Sequence, residues 1–70
     1  MEVNVERLKA LRQLRALSQQ ELSERSGVGR ATISRIERGE TGAQGRTLRR
    51  LASALGVGVE ELGKVEISDA

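Results

Sequence analysis

Seventy residues with a net charge of +2 leave room for one domain, near the lower size limit at which a lone hydrophobic core is adequate. There is no Phe, Tyr or Trp, so the core must be built from Leu, Val, Ile and Ala. There is no Cys or His, which excludes disulfides, thiolate and imidazole chemistry and the usual zinc sites.

The N-terminus, MEVNVERL, lacks a basic stretch leading into an apolar one, so no signal peptide is visible. No apolar run approaches the length of a membrane span. A soluble, cytoplasmic protein is expected.

Asn4 suits the cap of a first helix running to about Ala16, with Glu6 near its positive end. Val5, Leu8 and Leu11 recur at helical spacing and form its core stripe. Arg12 borders that stripe, and Leu14 drifts off it, either to pack on a neighbouring helix or to stay exposed. Ser18-Gln19-Gln20-Glu21 is a capping box, and Leu17 and Leu22 have the spacing of a hydrophobic staple. A second helix therefore starts here, and Gly27 suits the left-handed residue that ends it.

A third helix spans about Gly29 to Arg38 and stops at Gly39. Val28, Ile33 and Ile36 mark its inner side, while Arg30, Ala31, Ser34 and Arg35 share the other. Glu40 to Gln44 is a loop of small and polar residues. A fourth helix covers Gly45 to Leu55, with Leu48, Leu51, Ala52 and Leu55 as its core face and Gly56 as its stop. Val57 and Leu62 repeat the staple spacing and predict a short fifth helix. Gly63 to Ser68 alternates Val65, Glu66 and Ile67, which suits a short strand or an extended tail. As a strand it needs a partner, for which the same segment of a second subunit is one candidate; unpaired, it is a frayed terminus.

Charge is unevenly spread. Residues 1–24 balance at zero, residues 25–50 carry +5, and residues 60–70 carry −3. The positive block covers the third helix and the segment after it, where DNA phosphates would lie. On charge alone, a solvated arginine-rich face fits equally well.

The run LSQQELSERSGVGRATISRIERGE resembles the helix-turn-helix of the phage repressor and Cro-like family, also called the XRE family. LKALRQLRAL is similar to that family's first helix and LASALGVGVEEL to its fourth and fifth, so the resemblance covers about residues 5–62. Gln19, Leu22, Ser23, Ser26, Gly27, Val28, Ile33 and Ile36 all meet the family's motif. The resemblance implies an all-α, five-helix repressor-like DNA-binding domain over 1–62, with helices 2 and 3 as the helix-turn-helix and 63–70 as a short extended tail.

The same resemblance places Gly29, Arg30, Ala31, Ser34 and Arg35 where family members contact bases. Gln19 falls where they hold a phosphate, and Arg12 and Glu37 fall on an ion pair tying the first helix to the end of the third. Arg12, Arg38 and Arg46 are further expected phosphate contacts. Ala43, Gln44 and Gly45 depart from the family's Pro, Ser and bulky apolar residue, leaving the fourth helix poorly capped.

Physical chemistry supports the base contacts independently. A major groove admits one helix, Arg can bond guanine O6 and N7 bidentately, Ala31 offers a methyl to thymine, and Gly29 permits close approach. Family members act as two-fold dimers on near-palindromic operators. A homodimer contact is therefore expected from Val57, Val59, Leu62, Val65 and Ile67.

The expected function is sequence-specific binding of double-stranded DNA as a repressor or controller, with no cofactor, small-molecule ligand or membrane. Enzymatic activity is not expected, since Glu60 and Glu61 point to different helix faces and Gly27-Val28-Gly29 follows no strand. The rival reading is a protein-interaction module, such as an antitoxin or anti-activator, using the same helices to hold a partner.

Overall fold

A computed structural model describes residues 2–64. Its elements are β1 (Glu2–Val3), α1 (Val5–Leu14), α2 (Gln19–Ser26), α3 (Arg30–Glu37), α4 (Gly45–Leu55), a single 3-10 turn (Val59–Glu61) and β2 (Gly63–Lys64). The fold is helical apart from the two-residue strands, with four α-helices.

Two of the helices begin where a side chain accepts from the orphan N–H groups of the first turn. Asn4 accepts from the Arg7 N–H at 3.1 Å and starts α1. At α2 the capping box is complete: the Glu21 N–H donates to Ser18 Oγ, and the Ser18 N–H donates to the Glu21 carboxylate, both at 3.0 Å. By contrast, Gly29 and Gln44 precede α3 and α4 without a side-chain cap. Those two helices depend on tertiary packing.

All four helices stop on a left-handed residue: Ala16, Gly27, Gly39 and Gly56, with φ of 54°, 74°, 73° and 73°. After α1, α3 and α4 the following N–H reaches back five residues, from Leu17 to Arg12, Glu40 to Arg35 and Val57 to Ala52. This pairing satisfies carbonyls that the helix cannot. Ala16 does so without glycine's freedom.

The core is aliphatic. Leu8 and Leu11 of α1, Leu22 of α2, Ile33 and Ile36 of α3, and Leu48, Leu51, Ala52 and Leu55 of α4 are buried together with Val3, Leu17, Val28 and Leu62. Helix α2 packs on α3 and α4, α1 on α3, and α4 on the 3-10 turn. Leu14 is 73% exposed, outside this core.

Two expectations are corrected at the C-terminal end. The fifth helix is only the 3-10 turn Val59–Glu61. Gly58 and Gly63 bracket a segment too short to repay helix nucleation, and Gly58 supplies no side-chain cap. Gly63 and Lys64 pair antiparallel with Val3 and Glu2 of the same chain, and the Asn4 N–H donates to the Leu62 carbonyl at 2.7 Å. The start of the expected strand thus finds an intrachain partner, while Val65 to Ser68 lie outside the described residues. Among the described residues no helix is long and apolar enough to cross a membrane, and no cluster of carboxylates could hold a metal ion.

Candidate nucleic-acid interface

Helix α3 divides as the residue spacing requires. Ile33 and Ile36 are fully buried on one side. On the other, Arg30, Ala31 and Arg35 are exposed and Ser34 is half-buried. These four residues and Arg38 line one shallow depression of about 300 Å³. Arg38 donates to Ser34 Oγ at 3.1 Å and pairs with Glu40, while neither Arg30 nor Arg35 has an ion-pair partner among the described residues.

Gly29 sits at the head of this helix, exposed, with φ −58°. A Cβ there would meet only Thr32 Oγ1 at 3.8 Å. The protein's own packing does not demand glycine at this position.

Behind the helix, Glu37 is held from three directions. Arg12 Nε and NH2 donate to its two oxygens at 2.7 and 2.9 Å, and Gln19 Nε2 donates to Oε1 at 3.2 Å. Arg12 NH1 also donates to the Leu17 carbonyl at 2.9 Å. The side chains of Arg12 and Glu37 are only 14% and 4% exposed. The hydrogen bond to Glu37 pushes the Arg12 pKa above its ordinary value against the opposing effect of burial, and the Glu37 charge adds to the rise. One buried carboxylate thereby fixes α1, the first residue of α2 and the last residue of α3 relative to one another.

This geometry separates the residues expected at phosphates. Gln19 opens α2 beside backbone N–H groups that have no intrahelical acceptor, a natural anion position. Arg38 and Arg46 are exposed. Arg12 differs from them: three of its five N–H groups are spent inside the protein. Its positioning role is therefore the one these bonds define, and two N–H groups remain for the expected phosphate contact.

A family model described as helix-turn-helix matches residues 8–62, most of the chain. The chain belongs to this family, in its XRE-type branch. Among solved structures, the helix-turn-helix protein is similar to the restriction-modification controller protein C.AhdI from Aeromonas hydrophila. Identity is 33%, with 81% of this chain and 86% of the other covered, and the TM-score is 0.78. It is also similar to an HTH_3 family transcriptional regulator from Vibrio cholerae at 35% identity and a TM-score of 0.77. That match covers 81% of this chain but 32% of the regulator. No curated protein matches the sequence.

Of the residues expected at a dimer contact, one is corrected by the fold of the single chain. Leu62 is fully buried in the chain's own core and has no surface to share. Val57 and Val59 are half-buried against that core, and Val65 and Ile67 lie outside the described residues.

Several interactions have no local signal in the sequence. Arg15 Nε donates to the Leu55 carbonyl at 3.1 Å, capping the C-terminus of α4 from forty residues away. Arg7 bonds Glu61 through Nε and NH2 at 3.1 and 2.7 Å and ties α1 to the 3-10 turn. The hydrogen bond from Gln19 to Glu37 is likewise long-range and joins the start of α2 to the ion pair.

Proposed function

We propose that this DNA-binding regulator is sequence-specific and reads the major groove with α3, acting inside the cell as a repressor or controller. The observation carrying this reading is that Arg30 and Arg35 stand exposed, without acidic partners among the described residues, on a helix whose opposite side is fully buried. Each guanidinium can address guanine O6 and N7 in the groove. Ala31 can meet a thymine methyl, Ser34 can bond either base type, and Gly29 allows the approach.

Gln19 and the α2 N-terminus, together with Arg38 and Arg46, contact phosphates and set register. The Arg38–Glu40 pair is no obstacle, because an exposed pair is worth little and a phosphate competes well for the guanidinium. One reading helix covers few base pairs, so the proposal includes a homodimer on a near-palindromic operator. Val57 and Val59 supply the contact, with Val65 and Ile67 as the remaining candidates. The controller role is favoured by the likeness to C.AhdI over most of that protein's length.

Selection of bound sites from a random DNA pool tests the reading directly. The expected result is one enriched motif with two-fold symmetry and half-sites about one helical turn apart. Enrichment of no motif, together with equal retention of all duplexes, refutes it. Co-purification with a second protein in that event would favour the interaction-module reading.

A further inference from the structure

A second arginine cluster lies off the reading face. Arg25 at the end of α2 and Arg46, Arg49 and Arg50 of α4 line an open groove of about 540 Å³, with Ser26 and Ser53 between them. The arginines are exposed, and none has an ion-pair partner among the described residues. No acidic side chain lines the groove. It shares no lining residue with the depression on α3.

We propose that this groove is a second, sequence-independent phosphodiester site. It would hold backbone of the same DNA beyond the nucleotides facing Gln19. The inference rests on the DNA-reading role of α3.

Three features argue for it. Arg46, Arg49, Arg50 and Ser53 fall at i, i+3, i+4 and i+7, so they form a continuous row of donors along one side of α4. Guanidinium and hydroxyl groups are the usual donors to phosphate oxygens. Ala54 is the one apolar residue in the lining, so the groove has no apolar pocket of the kind that anchors a protein partner.

Position supports the same occupant. The first turn of α4 adjoins the reading helix, since Gln44 and Thr47 share a depression with Thr32 and Arg35. Arg46 thus starts the row next to the DNA face. Arg25 is six residues along α2 from Gln19, about 9 Å at the helical rise. Backbone reaching the groove therefore belongs to nucleotides outside those held at the α2 N-terminus. Such contacts add affinity and salt dependence without adding base preference.

The test compares wild type with R25A/R49A/R50A and the charge-retaining R25K/R49K/R50K. Folding of each is checked by circular dichroism. Affinity is measured against salt concentration on the selected operator in a long duplex of about 40 base pairs, near four helical turns, and in one trimmed to the read half-sites. The expected result is that the slope of log K against log salt on the long duplex falls by about 0.9 for each phosphate that the alanine variant no longer neutralises. The lysine variant retains the slope. The ranking of operator variants and the trimmed-duplex slope stay unchanged.

An unchanged slope on the long duplex overturns the proposal. So does either of two added measurements: binding of poly-glutamate that the alanine variant loses while its duplex slope stays unchanged, which would mark an acidic protein partner, or bridging of a second labelled duplex that the alanine variant abolishes. R30A/R35A separates the two ideas, since it removes base preference if α3 reads sequence, whatever the groove does. If no operator is selected, the reading role fails, and random-sequence duplexes of the same lengths still measure the slope.

Discussion

Gln19 Nε2 and Arg12 NH2 donate to the same oxygen of Glu37, at 3.2 and 2.9 Å, so the first residue of α2 and the ion pair behind α3 are one hydrogen-bonded unit. Removing the carboxylate leaves the Arg12 guanidinium largely enclosed without a counter-charge. Breaking a buried pair on one side costs about 3–5 kcal/mol. Glu37→Ala is expected near the lower end of that range, about 3 kcal/mol, because Arg12 keeps its bond to the Leu17 carbonyl. Urea denaturation followed by circular dichroism measures it. A loss no greater than that of the exposed Glu24→Ala would show that the pair is not a structural keystone.

Arg35→Ala tests the reading face. Its loss should flatten preference at one base of each half-site, with about 1–3 kcal/mol of discrimination removed. Gln19→Ala should instead weaken every sequence alike. Binding arrays of single-base operator variants distinguish the two patterns. A uniform loss for Arg35→Ala would reassign that side chain to a phosphate.

The capping box makes α2 sensitive to acid. The Ser18 backbone N–H, and secondarily the Ser18 hydroxyl, hold Glu21 below the ordinary carboxylate value of 4.5. A depressed folded pKa means that Glu21 contributes stability above its unfolded value and loses it as pH falls through the folded one. Glu21→Gln keeps an acceptor but removes this titration. Its stability relative to wild type should therefore be lower at neutral pH and converge with wild type in acid. A constant difference across the acid range would contradict this assignment.

Ala16 is the one non-glycine residue with positive φ among the described residues. The left-handed conformation costs an L-residue roughly 1–2 kcal/mol, while glycine adds somewhat under 1 kcal/mol of unfolded-state entropy. Ala16→Gly should raise stability by about 0.5 kcal/mol, read as a higher denaturation midpoint at unchanged slope. Ala16→Val should lower it, because a β-branched side chain tolerates that backbone poorly.

The sequence is most informative where the determinants are local. The Ser18–Glu21 box, the stop at Gly56 and the buried row from Leu48 to Leu55 are legible because they depend on residues within a turn or two of one another. The inner and outer sides of α3 follow from the same periodicity. Non-local and marginal features are not legible in this way. Leu62 reads as surface, yet the 3-10 turn carries it into the core, and the Arg15 cap on Leu55 joins positions forty apart. The intrachain strand pairing is equally hidden, since two residues at each end leave almost no alternation to detect. The family motif implies the Arg12–Glu37 contact, whereas nothing in it points to the third partner, Gln19.

Pairing Glu2–Val3 with Gly63–Lys64 sets positions sixty residues apart side by side, and the Asn4–Leu62 bond secures them. Fraying on one side therefore strips support from the other, so the first few residues act as a latch on the 3-10 turn and through it on α4. The same adjacency favours circular permutation. A short glycine linker could join residue 64 to residue 2, with new termini opened in the exposed segment around Thr41 and Gly42, which borders Arg35.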